Sequence, residues 1–250
     1  MAATGTRTRN IFDPHVKEPF KISRSKIELF LECSRCFYLD RRCGIGRPSG
    51  PAFTLNIAVD ALLKKEFDVH RKKSEAHPLM HTYGVHAVPF AHPDLATWRD
   101  NFKGIQFLHD ESNFIITGAV DDVWIDDRKE LIVVDYKATS TAADITLDGH
   151  FGSKYKRQME VYQWLYRQNG FHVSDTGYFV YVNADKDKEA FDKTLEFSVQ
   201  LIAYTGNADW IPEALSEMKL CLVRDLPPPA NPDCEWCAYR RAAVKKESAS

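Results

Sequence analysis

The segment from Phe114 to Ala138 constrains the fold most. Phe114 to Ile125 is rich in β-branched and aromatic residues, Asp126-Asp127-Arg128-Lys129 supplies turn chemistry, and Glu130 to Ala138 repeats the β-type pattern. The spacing predicts a hairpin. Asp121 lies in GAVDDVW on its first strand, and Asp135 and Lys137 close LIVVDYKA on its second. A short turn between antiparallel strands brings Asp121 and Asp135 together across the ladder. Asp135 and Lys137 are two apart and so leave the same face of a strand. Charges that follow an apolar run such as Leu131 to Val134 are costly to bury unless paired or bound to metal. Two carboxylates can share a hard cation such as Mg²⁺, which activates water and stabilises a phosphate transition state, with the lysine orienting the nucleophile or countering charge. For a D-x-K pattern alone, the bland reading is a buried salt bridge or a solvated strand end.

The surrounding pattern predicts what packs on that hairpin. Ser25 followed by Glu28 is a capping box, which starts a helix over Ser25 to Arg41. Leu55, Ala58, Val59, Leu62, Leu63 and Phe67 recur at helical spacing from about Thr54 to Arg71. Residues 74–93 read as loop, with a short strand at Val85 to Phe90. Met159, Tyr162, Leu165 and Tyr166 mark a helix from Lys154 to Gln168 that stops at Asn169-Gly170. Gly177 to Val182 and Thr194 to Tyr204 read as strands, and Trp210 to Val223 as a helix before Leu226-Pro227-Pro228-Pro229. The order α, α, β, β, α, β, β, α is that of an α/β protein with a mixed central sheet flanked by helices.

With 250 residues and 44% hydrophobic content, one domain with one core is expected over 23–240. Residues 1–22 are expected to be a flexible arm and 241–250 a flexible tail. Lys plus Arg number 33 and Asp plus Glu 35, a net −2 that names no partner. Apolar runs such as Tyr178 to Val182 fall far short of the roughly 20 residues that span a bilayer. The first ten residues lack the apolar stretch of a secretory signal, so a cytoplasmic location is expected. In a reducing compartment the six cysteines need a purpose other than disulfides. Four of them form two C-x-x-C pairs, Cys33 with Cys36 and Cys234 with Cys237, a spacing that holds zinc or an iron–sulfur cluster. Cys43 and Cys221 read as packing residues. No H-E-x-x-H motif is present, and Gly44 and Gly46 lack the rest of a phosphate-binding loop, so zinc-hydrolase and nucleotide-hydrolase readings fall away.

Gln158 and Tyr162 share a face of the helix after the hairpin, with Lys154 and Tyr155 a turn earlier. GAVDD, VVDYKA and QMEVYQW, in this order and spacing, resemble the three motifs of the PD-(D/E)XK nuclease superfamily, in its RecB-like branch. The start, SRSKIELFLECSRCFYL, is similar to that branch's serine-capped helix leading to a cysteine and an aromatic pair. The resemblance covers about 23–240. It implies a restriction-endonuclease-like core with a cysteine-tethered N- and C-terminal region, and an Mg²⁺- or Mn²⁺-dependent deoxyribonuclease serving DNA repair, recombination or defence. Asp121 and Asp135 would bind the metal, Lys137 would support catalysis, and Gln158 and Tyr162 would position the lysine or the DNA. Where the branch has a metal-binding histidine in a pattern similar to A-V-H-A-x-L, this chain reads Ala58-Val59-Asp60-Ala61-Leu62-Leu63. Asp60 would be an oxygen ligand in its place, or would mark a nuclease-fold module that binds nucleic acid or a protein without cleaving.

The resemblance further implies that Cys33, Cys36, Cys234 and Cys237 hold a [4Fe–4S] cluster. The branch's usual last cysteine falls at Ala243 here, so the fourth ligand would come from Cys36 or Cys221, and a structural Zn²⁺ satisfies two C-x-x-C pairs equally well. Residues 1–50 carry ten Lys or Arg against five Asp or Glu, and Arg240, Arg241, Lys245 and Lys246 follow the last cysteines. If the metal joins the two ends, these charges with Phe37, Tyr38, Trp236 and Tyr239 form a surface for DNA, single-stranded or with free ends. A helicase or a defence complex is the partner the resemblance suggests.

Overall fold

A computed structural model describes residues 6–50, 53–149 and 152–248. Residues 1–5 of the expected arm and 249–250 of the expected tail lie outside the described residues. The first part of the chain runs β1 (Phe20–Ser23), α1 (Arg24–Glu32), α2 (Ser34–Arg41), α3 (Thr54–Lys73), α4 (Pro78–Thr82), β2 (Ala87–Pro89), α5 (Leu95–Trp98) and β3 (Ile105–His109). It continues through β4 (Phe114–Gly118), β5 (Asp122–Asp126), β6 (Leu131–Thr139), α6 (Gly152–Gln168), β7 (Thr176–Ala184), β8 (Phe197–Thr205), α7 (Trp210–Leu222) and α8 (Glu235–Glu247).

Two compact units emerge. One draws its described residues from Ala52–Phe107 and Gly118–Ala208, the other from Met1–Pro51, Leu108–Thr117 and Asp209–Ser250. The first holds a five-stranded mixed sheet of order β2-β5-β6-β7-β8, antiparallel except for the parallel pair β6 and β7. The parallel pair needs a crossover, and α6 supplies it between β6 and β7. This is the mixed sheet with flanking helices of a restriction-endonuclease-like core. Strand alternation divides β6. Ile132, Val134 and Tyr136 join the core that Leu63 and Phe67 of α3 fill, so Asp135 and Lys137 belong to the opposite set. The second unit pairs β1 in parallel with β4, from Phe20↔Phe114 to Ser23↔Thr117.

Several elements differ from the sequence pattern. Phe114 to Ile125 is not one strand: β4 and β5 lie in different sheets, and the chain between them leaves the ladder as Val120 N–H donates to Trp98 O at 3.1 Å. Ser25 to Arg41 is not one helix. Cys33 adopts extended backbone (φ −166°, ψ 106°), ending α1 and capping α2. Residues 74–93 hold α4, whose first turn is capped by His77, as well as β2 near the expected strand. On α3 the apolar stripe is only partly internal: Leu63 and Phe67 are buried, while Leu55 and Leu62 are exposed. The sequence pattern did not single out β1, β3, α5 or α8, all short or weakly periodic. Among the described residues, no helix is long and apolar enough to cross a membrane.

Candidate functional site

The β5–β6 register, Asp122↔Val134 through Ile125↔Leu131, puts Asp121 opposite Asp135 one step beyond the end of the ladder. Asp121 Oδ2 accepts a hydrogen bond from Tyr136 N–H at 2.9 Å, which ties the first acid to the second strand. Asp135 is fully buried, and groups on α6 and on its own strand bond to it. Gln158 Nε2 donates to Asp135 Oδ1 at 2.8 Å and to Tyr162 Oη at 3.0 Å. Lys137 Nζ forms an ion pair with Asp135 Oδ2, donates to Gln158 Oε1 at 3.3 Å, and lies 4.5 Å from the centre of the Tyr155 ring. Asp135, Lys137, Gln158 and Tyr162, expected together from the sequence, thus form one hydrogen-bonded cluster.

Gly118, which opens GAVDD, fits this packing: a Cβ there would lie 2.7 Å from the Tyr162 ring. The glycine lets the first motif and the Q-x-x-x-Y helix meet.

Asp60 lies near Asp121 but is joined to it through another residue. Lys64 Nζ is 2.8 Å from Asp60 Oδ2 and 3.2 Å from Asp121 Oδ1. Burial and the neighbouring Asp121 charge push the Asp60 carboxyl above its ordinary value. Burial works to lower Lys64 and Lys137, yet both are held above the usual lysine value, Lys64 by Asp121 and Asp60, Lys137 by Asp135 and Asp121. The carboxylate oxygens of Asp60, Asp121 and Asp135 are the hard donors that Mg²⁺ or Mn²⁺ takes, so the donor set fits such an ion in kind.

The sequence pattern did not single out the second aspartate of GAVDD. Asp122 is fully buried and bonds through Oδ1 to Arg71, to Arg99 Nη2 at 3.0 Å and to Val123 N–H at 2.8 Å, while Tyr136 Oη donates to Oδ2 at 2.7 Å. Asp68 pairs with both arginines, and Arg99 Nε donates to Asp121 O at 2.9 Å. Burial and the Asp122 charge push Tyr136 well above the usual phenol value, so it stays a donor. Asp122 braces the backbone that presents Asp121. Its signal was available, since Asp122 alternates with apolar Trp124 on the core side of the strand.

A cleft of about 730 Å³ adjoins Lys137, walled by Phe53, Leu55, Tyr155, Tyr181 and Phe197, with Asn56 and Thr139 among its polar groups. Asp144 is its other charged lining residue besides Lys137.

The other unit carries the cysteines. Cys33 caps α2 and Cys36 follows three residues on; Cys234 caps α8 and Cys237 follows three residues on. Two helix N-termini therefore aim their partial positive charge at the same four thiols. All four Sγ atoms lie within 4.8 Å of one another, with Cys33–Cys237 at 3.9 Å, Cys36–Cys234 at 3.6 Å and Cys36–Cys237 at 3.7 Å. Among the described residues this is the metal-ligating group of three or more that meets so closely, and it could hold a metal ion. Arg47 Nη2 donates to Cys234 Sγ at 3.6 Å and pairs with Glu32. Burial opposes thiolate formation at Cys33, but backbone N–H groups at Asn231 and Cys36 bring it down to about 7. Burial raises Cys237 to about 12 and Cys221 to about 11. Cys221 stands apart, donating to Ser34 O.

The expected DNA surface near the cysteines is divided. Phe37 and Tyr38 are buried and cannot stack on a base, whereas Trp236 and Tyr239 are exposed. Arg7, Lys26 and Arg41 all turn inward on buried Asp40.

Among solved structures, the crystal structure of SSO0001 is similar, at 16% identity and a TM-score of 0.42 over 91% of this chain and 87% of that one. No curated protein matches the chain. The family model of the PD-(D/E)XK nuclease superfamily matches residues 55–242, which include both acidic motifs, the lysine and the Q-x-x-x-Y helix. By that match, over well more than half of its 250 residues, the chain belongs to the PD-(D/E)XK nuclease superfamily.

Proposed function

We propose that the chain is a divalent-metal-dependent nuclease that hydrolyses phosphodiester bonds in DNA. The observation that carries this reading is the cluster in which Lys137, Asp135, Gln158 and Tyr162 are bonded in series beside Asp121. Asp121 and Asp135 would hold Mg²⁺ or Mn²⁺, which supplies charge stabilisation at the phosphoryl oxygen and acidifies water. Lys137 faces the charge that builds on the phosphoryl oxygens during attack. Gln158 orients both Asp135 and Lys137, so the constellation is set before the substrate arrives. Tyr162 fixes Gln158 in turn.

The cleft beside Lys137 supports a substrate with unpaired bases. Its walls offer aromatic faces and few cations, which suits stacking better than gripping a duplex backbone. A nuclease for single strands or free ends would serve DNA repair, recombination or defence, with a helicase or defence complex as the partner that supplies such ends. Labelled single- and double-stranded DNA, incubated with Mg²⁺ or Mn²⁺, tests the reading. The wild-type chain is expected to cleave, and Asp135→Asn and Lys137→Ala to be slower by about 100-fold or more. Undiminished cleavage in both variants overturns it. Binding without cleavage by the wild type favours a non-catalytic module, the reading that Asp60 and its ion pair with Lys64 support.

We infer that the four cysteines hold one metal centre. A four-iron cluster puts an iron on each thiolate and spreads them apart. A single tetrahedral ion with bonds of about 2.3 Å sets sulfurs about 3.8 Å apart. Three of the six sulfur pairs lie at 3.6–3.9 Å and all six within 4.8 Å, which supports a single ion, zinc by the donor set, over the cluster that the resemblance implies. Anaerobically purified protein is then expected to be colourless with one bound zinc. A brown preparation with bound iron establishes the cluster instead.

A further inference from the structure

Lys64 has no part in the nuclease chemistry proposed above, yet it lies inside the acidic site. It stands one helical turn after Asp60 on α3, and its Nζ is 2.8 Å from Asp60 Oδ2 and 3.2 Å from Asp121 Oδ1. An exposed i,i+4 pair on a helix contributes little and reaches no third element. This one differs on both counts. All three side chains are at least two-thirds buried, and the third partner lies 57 residues away, just before β5. Both carboxylates converge on the one ammonium, and burial, with the Asp121 charge beside it, pushes the Asp60 carboxyl up. A cation between them relieves that pressure, the task a divalent ion performs when acids share it.

We propose that Lys64 is a built-in cation that fills the Asp60–Asp121 end of the acidic site and competes there with metal. Asp60 then serves as the counter-charge that holds Lys64 and is not a metal ligand. The divalent ion is confined to the Asp121–Asp135 end, where Asp121 still has lone pairs to offer, and is held weakly because an ammonium faces it. The inference rests on the metal-dependent reading of the site. It assigns Lys64 a positioning role, acting through Asp121, and it accounts for an aspartate where the related pattern carries a histidine: a neutral imidazole brings no charge to balance an ammonium.

The test is a calorimetric titration of Mn²⁺ into the full chain, with thermal unfolding followed with and without the ion. Lys64→Met is expected to bind Mn²⁺ at least tenfold more tightly than wild type, and to gain more from the ion in thermal unfolding, because Asp60 and Asp121 then face each other uncompensated. Lys64→Arg, which keeps the charge, is expected to stay near wild type. Asp60→Asn is expected to bind Mn²⁺ within about threefold of wild type, as a residue that is not a ligand should. A lysine that merely supported the fold would lower affinity on removal, so tighter binding is the discriminating result. Equal or weaker binding by Lys64→Met, or loss of Mn²⁺ binding in Asp60→Asn, overturns the inference and leaves the nuclease reading standing. Absence of Mn²⁺ binding in every variant removes both. Should Lys64→Met fold only when Mn²⁺ is present, that supports the inference; should it fold under neither condition, the Asp60→Asn titration decides.

Discussion

Asp121 and Asp122 are neighbours in GAVDD with opposite duties. Strand alternation sends Asp122 into the core beside two arginines and a tyrosine, and leaves Asp121 partly open, its side chain 22% exposed. Removing one partner of a buried ion network strands the others, at a cost of about 3–5 kcal/mol. Asp122→Ala is therefore expected to destabilise the chain by about that much, because Arg71 and Arg99 lose their shared anion; urea unfolding measures it. Asp121→Ala is expected to move the urea midpoint far less while abolishing cleavage. The sequence marked Asp121, Asp135 and Lys137 through a local rule, the two-residue period of a strand. It did not mark Lys64, because the significance of that lysine comes from Asp121, a residue distant in sequence.

At the scale of elements, α3 shows how one helix serves two masters. Leu63 and Phe67 fill the core, while Asp60, Lys64, Asp68 and Arg71 recur at three- and four-residue steps along a polar stripe that meets β5 and Arg99. The apolar period announced the helix, but of the residues that mark it Leu55 and Leu62 are exposed. The end of α3 connects to α4 through His77, whose ring stacks on Phe67 with centroids 4.3 Å apart. Its Nδ1 accepts Leu79 N–H at 3.1 Å, so the proton sits on Nε2, which faces Glu66 Oε1 at 3.0 Å. Burial holds the His77 pKa below 6.5 despite Glu66. A histidine depressed in the folded state contributes stability above its unfolded pKa and loses it as pH falls through the folded one. Stability is thus expected to decline from about pH 6.5 downward as the Nδ1 acceptor is lost. His77→Asn, which keeps a capping oxygen, should flatten that part of the pH profile; an unchanged slope would exclude His77 as its source.

For the molecule as a whole, the cysteine centre joins positions 204 residues apart, Cys33 and Cys237. A cross-link closing so long a loop restricts the unfolded chain by about 4–5 kcal/mol, and a metal ion bound only by the folded state acts in the same direction. Stripping the ion with a strong chelator, or replacing Cys237 with Ser, is expected to lower Tm by about 10 °C or more at this chain size. An unaltered Tm after complete metal removal would show that the thiols are packing residues.

The sequence by itself determined the order of the main strands and helices, the D…D-x-K hairpin and the Q-x-x-x-Y face, because alternation, helical period and turn chemistry act within a few residues. The break between β4 and β5, the halving of the first helix at Cys33 and the internal position of Lys64 were decided only in three dimensions. Each depends on a partner far along the chain, Trp98 for the strand break, Cys234 and Cys237 for the helix break and Asp121 for the lysine. Local patterning carries no record of which distant group will complete a charge, a hydrogen bond or a metal shell.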